Sequence, residues 1–162
     1  MLKKILSVTL CMAFVLAFGQ VNAQKKSGPT SYSNGIGMRV EFGEGGALVG
    51  FSAKHFFSLH NAGEAQLLFG SGATYLDLEY QYHAAIPNAA GLQWYAGMGP
   101  ALAFYKGGTD LYIRPLIGLD YKINNVPLNF GIDWRPTFRA THSESGSQFT
   151  AARFGLAFRY AF

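Results

Sequence analysis

The C-terminal stretch Phe149 to Phe162 constrains the fold more than any other part of the chain. Counting back from the end, every second residue is large and apolar: Phe162, Tyr160, Phe158, Leu156 and Phe154. Between them stand Ala161, Arg159, Ala157, Gly155 and Arg153. A repeat of two marks a strand whose two faces differ. One face here is aromatic and aliphatic, and the other carries arginines and small residues. A soluble sandwich strand can show this pattern, as can a strand in a membrane barrel, so the rest of the chain has to decide between them.

The N-terminal residues favour export. Met1-Leu2-Lys3-Lys4 precedes an apolar run from Ile5 to Phe18, and Val21-Asn22-Ala23 supplies small residues before Gln24. A run of about 14 residues is short of the roughly 20 that a membrane-spanning helix needs, so residues 1–23 read as a secretory signal peptide. Cys11 falls inside that run, which leaves the exported chain without cysteine and without a disulfide. Residues 24–32 read as a flexible lead-in and residues 33–162 as the barrel. Lys3 and Lys4 leave with the signal, so the exported chain keeps eleven basic residues against nine acidic ones. That balance, with no basic run interleaved with aromatics, argues against a nucleic-acid surface.

Alternation continues through the remainder. Ile36, Met38, Val40 and Phe42 oppose Gly37, Arg39 and Glu41; Val49 and Phe51 oppose Gly50, Ser52 and Lys54. A third strand spans Glu64 to Gly70. In a fourth, Leu76, Leu78, Tyr80 and Tyr82 oppose Asp77, Glu79, Gln81 and His83. A fifth runs from Leu92 to Tyr105, and Pro100, which removes a ladder donor, predicts a bulge there. A sixth begins at Leu111 and contains Pro115; a seventh carries Leu128, Phe130, Ile132 and Trp134 on its apolar side. Turns are expected at 43–46, 58–63, 70–73, 84–91, 106–110, 123–127 and 141–148. Eight strands joined in sequence by short turns give an all-β, antiparallel up-and-down barrel.

The sorting of charge decides which kind of barrel. Arg39, Lys54, Arg114, Lys122, Arg135, Arg139, Arg153 and Arg159 fall on the polar face, as do Glu41, Glu64, Asp77, Glu79, Asp120 and Asp133. A soluble ligand-binding barrel has a greasy interior and a polar exterior; this chain has the reverse. A lipid-facing arginine costs about 2–4 kcal/mol at the bilayer midplane, which is what such sorting avoids. The reading is an eight-stranded transmembrane barrel of the outer membrane. Its bore admits little beyond side chains, so the fourteen charged residues are expected to form an interior network that plugs it. A narrow channel or small-solute and hydrophobic-compound route is the alternative, and a lipid-modifying enzyme the next.

Catalytic signals are sparse. His142-Ser143-Glu144-Ser145 gathers suitable groups, but consecutive residues point to different sides and make a poor triad. His55, His60 and His83 lack metal-ligand spacing, and the chain has no Gly-x-Ser-x-Gly, His-Glu-x-x-His or P-loop. No catalytic residue, cofactor or metal is therefore assigned. Three segments, Gly118-Leu119-Asp120-Tyr121-Lys122, Ile132-Asp133-Trp134-Arg135-Pro136 and the terminal Arg159-Tyr160-Ala161-Phe162, resemble small outer-membrane barrel proteins of Bacteroidota, and more distantly the OmpX/OmpW-like barrels. The expected surroundings are outer-membrane lipid, and the expected working form is a monomer or a weakly self-associating one. The resemblance implies that the terminal aromatics Phe158, Tyr160 and Phe162 serve as a signal read by the barrel assembly machinery. Lipid A deacylase barrels are similar in size, but their His-x-Ser-Asn motif is missing.

Overall fold

The computed structural model describes residues 32–70, 72–141 and 149–162. Among these, ten hydrogen-bonded segments build one antiparallel sheet: β1 (Asn34–Gly43), β2 (Leu48–Phe56), β3 (Asn61–Gly70), β4 (Ala73–Ala85), β5 (Leu92–Tyr105), β6 (Gly108–Lys122), β7 (Leu128–Trp134), β8 (Thr137–Arg139), β9 (Phe149–Thr150) and β10 (Arg153–Ala161). β1 to β7 pair in sequence, β6 also pairs with β8, β8 with β9 and β7 with β10, and the pairing of β10 with β1 closes the ring. β7 and β8 form one wall interrupted at Arg135-Pro136, and β9 and β10 another interrupted at Ala151-Ala152. The ring therefore has eight walls. Closure pairs the walls on both sides through the barrel, a condition for backbone in hydrocarbon, and among the described residues only the short β9 has a single partner, β8.

The prolines are accommodated without the bulge expected at Pro100. On the β4 side the ladder stops at Asp77↔Ala101 and resumes in the same register at Tyr80↔Met98, so only the missing donor is lost. On the β5–β6 side Pro100 and Pro115 both keep their places in the ladder. β6 pairs β7 up to Ile117↔Trp134 and β8 from Ile113↔Phe138, again in one register, which sets Pro115 opposite Pro136. Neither proline has an N–H to give. The bulge lies elsewhere. Between Trp134↔Phe154 and Thr137↔Thr150, the β9–β10 wall carries one residue more than its partner. The extra residue at Ala151-Ala152 resets the alternation. Phe149 thereby faces outward against Phe138, with ring centroids 4.7 Å apart.

Two turns are tighter than the sequence suggests. β3 begins at Asn61 rather than Glu64. β6 begins at Gly108, leaving Lys106-Gly107 as the tip of the hairpin and drawing Asp110 into the wall opposite Ala103. At the turn after β1, Gly43, Gly45 and Gly46 have φ of 137°, 84° and 90°, a region that disfavours side chains.

The outer surface is apolar along every wall. Ile36, Met38, Phe51, Leu78, Ile117 and Ile132 are each 49–62% exposed, while Arg39, Arg135 and Arg159 are at most 1% exposed. This inside-out arrangement predicts a depth-dependent cost for charge on the outer face. Ile132→Arg, mid-strand in β7, is expected to destabilise the refolded barrel by about 2–4 kcal/mol, and Leu128→Arg, at the strand end, by about 1 kcal/mol or less. Urea titration in lipid vesicles reads both. Equal, small costs at the two sites would mean that this surface does not face hydrocarbon.

Candidate functional site

The interior is the candidate site, and its side chains meet across the bore. Arg39 on β1 donates from Nη2 to both carboxylate oxygens of Asp133 on β7 at 2.6 Å. Arg135, between β7 and β8, donates to Glu79 on β4 at 2.6 Å and from Nε to Asp133 at 2.6 Å. Lys54 on β2 reaches Asp120 on β6 at 3.1 Å and Glu64 at 3.3 Å. Arg159 on β10 reaches Glu64 on β3 at 2.5 Å. Arg114 on β6 bonds both Asp77 on β4 and Glu41 on β1. Glu41 also lies 3.3 Å from Arg39, 3.0 Å from Arg135 and 3.4 Å from Arg153. Several of these pairs join walls three or four places apart around the eight-walled ring, so they bridge the bore.

Charge balances within the described interior. The buried cations are Arg39, Lys54, Arg114, Arg135, Arg153 and Arg159; against them stand Glu41, Glu64, Asp77, Glu79, Asp120 and Asp133. Asp110 is also buried, at the rim, and lies 3.7 Å from Arg139. Ions taken from water without a partner would cost several kcal/mol each, and partners of opposite sign offset that cost. Lys122 and Arg139 stand apart from this cluster. Lys122 is partly exposed and donates to the backbone carbonyls of Ile123 and Val126, and the Arg139 side chain is 20% exposed at the opposite end.

Neutral groups complete the network, and charge patterning alone does not pick them out. Tyr95 Oη donates to Asp133 at 2.6 Å, Ser52 to Glu64 at 2.7 Å, and Gln81 to Glu64 and Glu79 at 3.0 and 2.9 Å. Asn129 donates to Asp120 at 2.5 Å. These four residues share the inward parity of the charged ones, which is the signal that marks them. Tyr32 has no such signal. Assigned to the lead-in by sequence, it is buried at the near end of the bore, the end where Asn34 bonds Phe162. Its hydroxyl donates to Asp120 at 3.1 Å and its ring meets Phe56 edge-on at 5.1 Å. Tyr32, Phe56, Ala62 and Ala161 form an apolar floor beneath the charged layers.

Of the histidines, His83 is buried, stacks on Tyr95 at 4.9 Å and contacts Gln81 at 3.1 Å. His55 and His60 lie partly exposed near that floor, bonded to Asn34 and to the His83 carbonyl. Among the described residues no group of three His, Cys, Asp or Glu is placed to hold a metal ion. His142-Ser143-Glu144-Ser145 lies outside the described residues. Phe158, Tyr160 and Phe162 all project outward and are 51–57% exposed.

A closed eight-walled ring with an apolar exterior and an ion-paired bore defines an outer-membrane β-barrel whose interior is plugged by side chains. A solved structure agrees on the fold. The N-terminal β-barrel domain of Pseudomonas aeruginosa OprF matches 80% of this chain and 98% of its own length, with a TM-score of 0.55 at 18% identity. Neisserial surface protein A matches 81% of this chain and 96% of its own at 13% identity and a TM-score of 0.43. No family model matches the chain, and no curated protein does.

Proposed function

We propose that this chain is a non-conducting outer-membrane barrel with a structural role, working as a monomer, and that it belongs with the small Bacteroidota barrels of the OmpX/OmpW-like kind. The observation that carries the reading is the set of ion pairs crossing the bore between walls three or four places apart: Lys54 to Asp120, Arg135 to Glu79, Arg159 to Glu64 and Arg114 to Glu41. An ion crossing the barrel would have to part these pairs and desolvate them one by one. In this reading residues 1–23 are removed on export, and the end carrying Asn34 and Phe162 faces the periplasm. Phe158, Tyr160 and Phe162 meet the assembly machinery in the same reading. Recovery of a chain starting at Gln24 from the outer-membrane fraction, and its loss on removing Phe162, checks the address and the signal.

The test of function is conductance. The refolded barrel, shown to be folded by heat-dependent gel mobility, is expected to give no stable steps in a planar bilayer. Steps whose size changes in Arg135→Ala or Glu79→Ala would replace the structural reading with that of a narrow channel. Failure of a folded barrel to insert would remove the membrane assignment.

A further inference from the structure

The mouth at the far end of the barrel, where the β1–β2 turn lies, holds a cavity of about 170 Å³ that the plugging network does not fill. Among the described residues its wall includes Arg114, Arg139, Arg153, Tyr75, Tyr112 and Thr137, with Glu44 as its one acidic lining residue. The carboxylates that neutralise these arginines do not line it. Glu41 and Asp77 hold Arg114 from below, Glu41 also holds Arg153, and Asp110 lies beside Arg139. The cavity is therefore lined by arginine side chains whose partners Glu41, Asp77 and Asp110 do not line it. Arg139 is held in place at the rim, where its guanidinium lies over the Tyr112 ring at 5.6 Å and Nη2 donates to the Tyr112 hydroxyl at 3.3 Å.

We infer that this far mouth binds a phosphate group. Planar, multiply donating guanidinium groups suit an oxyanion better than ammonium does, and three arginines line this one cavity together with Tyr75 and Thr150. The volume takes a small oxyanion together with some water, each water claiming about 30 Å³. The phosphate can be a free ion or part of a lipid headgroup. The lipid form rests on the proposed orientation, with this mouth outside the cell, whereas binding of the free ion does not depend on it or on whether the barrel conducts.

The experiment titrates inorganic phosphate into the refolded barrel in maltoside micelles and follows the ³¹P linewidth. A second arm adds a bisphosphorylated glycolipid and, for comparison, its dephosphorylated form. Saturable broadening by inorganic phosphate, weakened about 10-fold or more in Arg139→Gln and unchanged in Lys122→Gln at the other end, is the expected result. Binding of only the phosphorylated glycolipid, with the same dependence on Arg139, would assign the site to a headgroup. Arg139 is partly exposed at the rim, so Arg139→Gln should retain heat-dependent mobility; Tyr112→Phe, which removes the brace, gives a milder second variant expected to weaken binding in the same sense. No binding in either arm, or binding indifferent to both substitutions, overturns the inference.

Discussion

Glu41→Gln is expected to cost the barrel about 3–5 kcal/mol, the scale of leaving a buried charge unpaired. Glu41 is fully buried and lies within 3.4 Å of guanidinium nitrogens of Arg39, Arg135 and Arg153, in addition to its bond with Arg114. Glutamine keeps the shape and removes the charge, so what changes is electrostatic: six buried cations then face five carboxylates in the central cluster. The control is Glu44→Gln, in the exposed turn, which should shift stability by no more than about 0.5 kcal/mol. Urea unfolding in micelles, with an unchanged slope and a lowered midpoint, reports the loss. A second substitution sharpens the test. Arg153 is the buried cation nearest the mouth, so Glu41→Gln with Arg153→Gln restores the balance, and the pair should cost less than the two single changes added together. If Glu41→Gln were as mild as Glu44→Gln, water would have to be solvating the bore, and the plug would not be dry.

The side on which each residue lies was legible from sequence, because the strand period is two and hydrocarbon forbids charge on one face. Arg39, Asp77, Asp133 and Arg159 could be set inside on that ground alone, and they lie there. Who meets whom was not legible. Arg39 reaches Asp133, 94 positions along the chain, and Arg159 reaches Glu64, 95 positions back. Those partnerships depend on how far each wall is staggered against the next, and alternation carries no information about stagger. Asp110 was lost in a turn because a hairpin closed by Lys106-Gly107 is shorter than its polar composition suggests. Tyr32 was lost because one residue before a strand has no periodicity to show. The prolines misled in a physical way. Pro100 removes a donor, but a gap in the ladder at constant register accommodates it, while the extra residue falls at the adjacent alanines Ala151 and Ala152, which look like ordinary strand.

Gly155 shows the same boundary between parity and contact, and Gly155→Ala is the second substitution with a large expected effect. On sequence it is one of the small residues of the inward face. In the fold it pairs with Glu41 on one side and Asp133 on the other. A Cβ there would stand 1.9 Å from Nη2 of Arg39 and 2.7 Å from Oδ1 of Asp133. Long side chains often move aside at little cost, but this one has nowhere to go: Arg39 is fully buried, its Nη2 holds both oxygens of Asp133 at 2.6 Å, and its Nε lies 3.3 Å from Glu41. Making room for one methyl group means withdrawing the guanidinium from its carboxylate. The expected loss is about 3 kcal/mol or more, the scale of a broken buried pair and well above the few tenths that adding a methyl in open space would bring. At Gly131 the corresponding Cβ would lie 3.3 Å from Nη1 of Arg159, and alanine there should cost about 1 kcal/mol. The mechanism is separable from simple crowding by coupling. In an Arg39→Gln, Asp133→Asn background the ion pair is absent and the shorter amide leaves the slot empty, so adding Gly155→Ala should cost less than about 1 kcal/mol. An undiminished cost in that background would place the clash on the backbone of the neighbouring walls, and a cost near zero in the native sequence would mean that Arg39 does not occupy the slot.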